Sequence, residues 1–520
     1  MYQLLIKNAK VIDGNGKKPF VSDVAIENGK IVSVQPNIKT SAKTTIDTKG
    51  MVLAPGFIDS QNHSDSYWQL FSNPGLQSLI AQGYTTLLVG SSGTSLAPLI
   101  SEEGLRSVQK WQSTSGLNVN WRSFKEYVDQ LSSMKFGSNI VSLVGYSTIR
   151  RGLLGDSIHP PTQAELETLL SVLDTSFKEG AVGVSVGLQY SHELNITDVE
   201  LVAIAELCAE RGKLLAASLR NEDVNIINSA RELTALAEQT GVNLKVSHLK
   251  IRHKSNWPLL TELLDSFESA YHRGAKVHFD CYPYTHTWQP LYTFLPNWSL
   301  EGGRTHLLER LRGEDTRKRI LSSLTNHPAN LAALMIASTA NGLKVNGKTI
   351  SQVAQSMSMT SEEAILNLIQ NGGATTLVFD ESLDIGTVMI LCNHSLSFVG
   401  TNGGGFDLPH GDKLVHPRSF GTAPKFLRQV IDSKSISLEE GIAKLTSRVA
   451  KTIGLKNKGI IANGFDADLV LFDPAKIDSK ASVANPYQFP LGIEGVWING
   501  EKVVQKGTPT GALEGRYIKS

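Results

Sequence analysis

The stretch GFIDSQNHSD, residues 56–65, ends an apolar run at Asp59 and then presents His63. Two imidazoles spaced H-x-H at such a place can hold zinc, but the first position here is Gln61. Further on, SHLK (247–250) carries His248 and Lys250, SLRNE (218–222) carries Ser218 and Arg220, and GTNGG (400–404) carries Asn402. Two histidines can hold a metal weakly, yet they lack the charge needed to bring a bound water's pKa near neutrality. His63 and His248 can equally be hydrogen-bonded core histidines at strand ends. Lys250 and Arg418 are open to two readings: structural ion pairs, or recognition of a carboxylate, for which the guanidinium fork is suited. Tyr282, in YPYT, reads as a packing residue when taken alone. Asp59 is placed to cap or orient the turn. The glycine run GTNGGG lacks the Lys-Ser/Thr ending of a phosphate loop and reads as a loop. His192, His286, His394 and His410 fit no ligand spacing, although His286 and His410 are candidates for the mouth of a site.

These residues need elements to hold them. Between about 57 and 457, short apolar runs alternate with amphipathic stretches. Candidate strands are TTLLVG (85–90), IVSLVG (140–145), GVSVGL (183–188), LLAAS (214–218), NLKVSH (243–248), KVHFD (276–280), TVMILC (387–392) and SFVGT (397–401). Candidate helices cover 162–179, 198–211, 223–240 and 256–272. Alternating β and α predicts a parallel sheet, and about eight repeats predict a closed (β/α)8 barrel. In such a barrel chemistry collects at the C-terminal strand ends, where His63, Ser92, Tyr146, Ser218, Arg220, His248, Lys250, Asp280, Tyr282 and Asn402 fall. Residues 1–56 and 458–520 instead show short alternating runs with Asp13-Gly14, Asn28-Gly29 and Asn499-Gly500 turns, and are expected to form one composite β-sandwich domain. Residues 57–457 are then the barrel, with an inserted subdomain at about 286–385 where the rhythm breaks.

Composition excludes several classes. The 520-residue chain has 50 Lys plus Arg against 49 Asp plus Glu, so it offers no electrostatic footprint for nucleic acid or anionic membranes. No run approaches a transmembrane length, and the N-terminus lacks the pattern of a signal peptide. Three widely spaced cysteines give no disulfide framework and suit buried thiols in a reducing cytoplasm.

Taken together, LAPGFID (53–59), QGYTTLLVGSSGTSLAP (82–98), GVSVGLQY (183–190), SLRNE, VSHLK (246–250), YPYT (282–285), LPNWSLEGG (295–303), HPRSFG (416–421) and GFDADLVLFDP (464–474) carry a resemblance over nearly the whole chain. The sequence resembles the N-acyl-D-amino-acid deacylases (D-aminoacylases) of the amidohydrolase superfamily. The resemblance implies a metal-loaded (β/α)8 barrel beside a β-sandwich, and zinc-assisted hydrolysis of non-peptide amide C–N bonds with an Asp as general base. Carried over position by position, it puts Gln61 at the first His of H-x-H, Ser92 at a metal-binding Cys, Ser218 at a His, Asn402 at the catalytic Asp, and Tyr146 at a further His. His63 and His248 are retained. Lys250, Tyr282 and Arg418 match substrate-side positions.

Neutral Gln, Ser and Asn are poor zinc ligands beside imidazole or thiolate, and Asn402 cannot accept a proton as a carboxylate does. The changes are mutually consistent, because thiolates and carboxylates left without their cation would be buried unpaired charges. The expectation is therefore no zinc or weakly bound zinc, and a small-molecule ligand of the N-acyl amino acid type. Two functions stay open: an amidohydrolase with an atypical, metal-poor site, or a catalytically inactive pseudoenzyme that binds an acylated amino acid or regulates a partner.

Overall fold

The computed structural model describes residues 1–111, 118–157, 159–190, 193–339, 344–372, 375–408 and 413–519. Val, Ile and Leu alternate with polar residues in the first strands, which suits a sheet with one face covered. β1 (Tyr2–Val11), β2 (Phe20–Glu27), β3 (Lys30–Gln35), β4 (Ala42–Asp47) and β5 (Val52–Pro55) open the chain. The barrel strands follow: β6 (Phe57–Asp59), β7 (Tyr84–Val89), β8 (Asn139–Ser142), β9 (Val144–Gly145), β10 (Gly183–Gly187), β11 (Leu214–Ser218), β12 (Asn243–Val246) and β13 (Val277–Cys281). After β14 (Thr287–Pro290), β15 (Met335–Ser338) and β16 (Leu377–Asp380), β17 (Ser397–Val399) is the last barrel strand. β18 (Leu469–Phe472), β19 (Ile493–Ile498), β20 (Glu501–Gln505) and β21 (Thr508–Pro509) end the chain.

Strands from the two termini form one hydrogen-bonded sheet, ordered β21-β20-β19-β18-β5-β1-β2-β3, with β4 beside β1. Its halves fold over a shared apolar cluster that includes Leu4, Ile6, Val24, Ile26, Leu53, Leu469 and Trp497. The turns of the two halves meet, since a Cβ on Gly29 (φ +72) would lie 3.0 Å from the Asn499 carbonyl. The sandwich is thus a single sheet bent over on itself.

The barrel runs β6-β7-β8 in one ladder and β9-β10-β11-β12-β13-β17 in the next, all parallel, with β8 and β9 sharing one position. Closure joins the first and last strands through the Asn62–Gly403 bridge, and Asn402 N–H donates to the Gln61 carbonyl at 2.8 Å. Asp59 fastens the same seam: Thr401 N–H and its hydroxyl donate to the two carboxylate oxygens at 2.8 and 2.5 Å. Burial raises the Asp59 carboxyl to about 6 against these hydrogen bonds.

Outer helices Gln163–Lys178, Asp198–Glu210, Ile226–Thr240 and Leu260–His272 fill the gaps between strands. Thr162 starts the first with a capping box to Glu165. The antiparallel sheet β14-β16-β15 interrupts the alternation, with a separate apolar cluster around Leu307, Ile320, Ile336 and Ile365 beside it. One expected strand is a helix: TVMILC lies in Ile385–Asn393, where the Asp384 side chain caps Thr387 N–H at 2.7 Å and Ile390 faces solvent. Its apolar run suits a buried strand and an outer helix equally; the cap decides. Cys208, Cys281 and Cys392 are buried free thiols. No helix among the described residues is long and apolar enough to cross a membrane.

Candidate active site

The residues singled out at strand ends are buried at the C-terminal side of the barrel, apart from the half-buried Arg220, and three of them have an unusual backbone. Ser92, His248 and Asn402 are non-glycine residues at φ 54, 45 and 46. Each sits in the left-handed region, which costs about 1–3 kcal/mol and is found where a fold holds side chains for function.

Two buried groups form there. The first links the end of β6 to β12, β13 and the loop after β17. His63 Nε2 lies 2.9 Å from Asn402 Oδ1, so this nitrogen carries a proton and donates. Gln61 Nε2 donates to Ser92 Oγ at 3.1 Å, while Gln61 Oε1 accepts from Ser247 Oγ at 3.2 Å and Lys245 Nζ at 2.7 Å. Lys245 also donates to Asp280 Oδ2 at 2.5 Å and the Ser60 carbonyl at 2.8 Å. The other Asp280 oxygen accepts His248 N–H at 2.5 Å.

In the second group, Glu222 Oε1 accepts from Lys250 Nζ at 2.5 Å and faces His248 Nδ1 at 3.1 Å. Lys250 Nζ is also 3.0 Å from His248 Nδ1 and 3.1 Å from its carbonyl. Burial pushes Glu222 up, but the Lys250 charge and the bond to His248 win and hold it at about 2. Burial and then Lys250 hold the His248 imidazole below its ordinary value, so it is neutral at pH 7. A depressed carboxylate contributes stability above its unfolded value of 4.5 that is lost as pH falls toward about 2. Urea unfolding of Glu222→Gln should show lower stability at pH 7 than the native chain, and a flatter slope between these pH values.

Glu222, His248, Lys250, Tyr282, Asn402 and Arg418 line one cavity of about 410 Å³, under Trp111, Tyr190 and Trp288. Burial raises the Tyr282 hydroxyl to about 12, which keeps it a donor. The Arg418 guanidinium is buried over the Tyr282 ring at 4.7 Å and 5.9 Å from the Trp288 ring. Its Nε and Nη1 have no hydrogen-bond partner, and no carboxylate among the described residues pairs with it. Ser218 Oγ, also buried, has no partner either. Tyr146 belongs elsewhere, in a buried network with Glu200 (2.6 Å) and Arg150. His286 lies 3.9 Å from Glu381 and His394 bonds Glu268 at 2.9 Å; neither lines the cavity. His192 and His410 lie outside the described residues.

Glu222 and Lys245 are the site residues that motif reading passed over. Glu222 stood in SLRNE. Lys245 had a plainer signal, a charge inside an otherwise apolar barrel strand.

The donor set does not fit zinc. Gln61, Ser92, Ser218 and Asn402 present neutral amides and hydroxyls, and an ammonium is bonded to the first of them. Among the described residues no group of three or more His, Cys, Asp or Glu is placed to hold a metal ion.

The comparisons with known proteins agree with the fold. A family model described as the amidohydrolase family matches residues 414–504. The N-acyl-D-aspartate deacylase of Alcaligenes xylosoxydans xylosoxydans is 30% identical over 98% of this chain and 93% of its own. The D-aminoacylase of that organism is 27% identical over 99% and 97%. A crystal structure of the N-acyl-D-glutamate deacylase of Bordetella bronchiseptica, complexed with zinc and a phosphonate mimic of the tetrahedral intermediate, superposes with a TM-score of 0.85 at 25% identity, covering all of both chains. With relatives matched from end to end, one of them at 30% identity, this chain belongs to the N-acyl-D-amino-acid deacylase (D-aminoacylase) family of the amidohydrolase superfamily.

Proposed function

We propose that this protein hydrolyses the amide bond of an N-acylated D-amino acid with side chains alone. The observation that carries the reading is the placement of a neutral histidine beside a carboxylate and of a guanidinium with no facing carboxylate among the described residues on one cavity. Lys250 can only donate and Glu222 can only accept. Lys250 donates to Glu222 and to the His248 carbonyl, and this reading places the His248 proton on Nδ1, toward Glu222 at 3.1 Å. Nε2 is then a lone pair without a protein partner.

Arg418 receives the substrate carboxylate. His248 Nε2 takes a proton from water as its oxygen attacks the carbonyl carbon. The oxyanion is met by the Tyr282 hydroxyl and the Lys250 ammonium, both of which donate. The imidazolium, stabilised by Glu222, returns the proton to the leaving nitrogen as the C–N bond breaks. A carboxylic acid and a D-amino acid are released. Asn402 cannot act as base; it accepts the His63 proton and holds that ring. His63 and His248 are therefore hydrogen-bonded groups in this reading, not ligands.

The test is release of free amine from N-acetyl-D-amino acids, the aspartate, glutamate and leucine derivatives included, in the presence of a chelator. Turnover that survives the chelator and falls by about 10²–10⁴-fold in His248→Asn supports the reading. Turnover that appears only with added zinc overturns it. Saturable binding without turnover would make the chain a receptor for the same ligand.

A further inference from the structure

We infer that the Lys245 ammonium is the resident cation of this barrel, occupying the electrostatic place that a metal would take. An ammonium has three N–H donors. Those of Lys245 meet three oxygens: Asp280 Oδ2 at 2.5 Å, Gln61 Oε1 at 2.7 Å and the Ser60 carbonyl at 2.8 Å. The side chain is fully buried, so this is a complete oxygen shell around a fixed positive charge.

The neighbouring residues suit the ammonium as partner. A neutral imidazole at position 61 offers one acceptor nitrogen in a ring. The Gln61 amide instead accepts from Lys245 and Ser247 on its oxygen and donates to Ser92 on its nitrogen. The two polar residues at positions 61 and 92 are in this way hydrogen-bonded outward from the ammonium. Asp280 ties the same charge to the backbone of His248, which keeps φ 45 while its N–H is held. Lys245 therefore positions His248 and Gln61 rather than touching substrate, and it does not line the cavity. A divalent ion brought near position 61 would have to displace this ammonium from the Gln61 oxygen and the Asp280 carboxylate that it already holds.

The inference concerns metal exclusion and does not depend on turnover. The chain carrying Gln61→His, Ser92→Cys, Ser218→His and Asn402→Asp restores the ligand and catalytic residue types that the resemblance implies but retains Lys245. Purified from zinc-supplemented medium, it is expected to hold almost no metal. Adding Lys245→Met should bring zinc to about one equivalent per chain, and cobalt substitution should give a visible ligand-field spectrum. Should that chain not fold, a version also carrying Asp280→Asn removes the carboxylate left without its partner. A full equivalent of zinc with Lys245 present overturns the inference, as does a folded Lys245→Met chain that takes up none.

Discussion

Arg418→Met is expected to weaken binding of an N-acetyl-D-amino acid by about 30-fold or more, corresponding to the roughly 2–5 kcal/mol lost when one partner of a buried hydrogen-bonded charge pair is removed. The free protein should at the same time keep its stability or gain some. The guanidinium is buried with Nε and Nη1 unpartnered and no facing carboxylate among the described residues, so its charge is an unfavourable element of the empty site. A ligand carboxylate would offset that cost on binding. Calorimetric titration and thermal melts of the one variant read both effects. A loss of stability without a loss of affinity would return Arg418 to a structural role.

Asp280→Ala is expected to destabilise the fold by about 3–5 kcal/mol, because it strands the Lys245 ammonium in the barrel interior. It also removes the acceptor for His248 N–H. Replacing both members, as Lys245→Met with Asp280→Asn, should recover most of the loss, since breaking a buried pair costs far more than exchanging it for neutral groups. Urea unfolding of the two single variants and the double variant forms a cycle whose coupling energy measures the pair. Near-additivity would show that the two groups do not depend on each other.

Much of the barrel was legible in the sequence because its strands are short apolar runs bounded by polar turns. LLAAS is β11 residue for residue, and the helices that follow each strand fall within a few residues of their expected spans. TVMILC failed because a short, almost wholly apolar run carries no period, and the deciding Asp384 cap lies outside the run. At the site, the missing imidazole at Gln61 was visible as a gap in a spacing, but what replaced it was not. Lys245 reaches Gln61 from a strand 184 residues away in sequence, a contact that only barrel closure creates. Glu222 was likewise visible as a letter in a motif; its work depends on the His248 backbone turning at φ 45 to meet it.

The bent terminal sheet has a consequence for synthesis. β5 pairs on one side with β1 and on the other with β18, Val52 opposite Phe472. On a ribosome adding about 5–20 residues each second, β5 emerges roughly 20–80 s before the strand that completes it. Throughout that interval a row of amide and carbonyl groups stands open at the edge of a hydrophobic sheet, a template for pairing with any nascent neighbour. The yield of soluble protein should therefore respond to translation speed and to holding chaperones more than the stability of the finished fold would suggest.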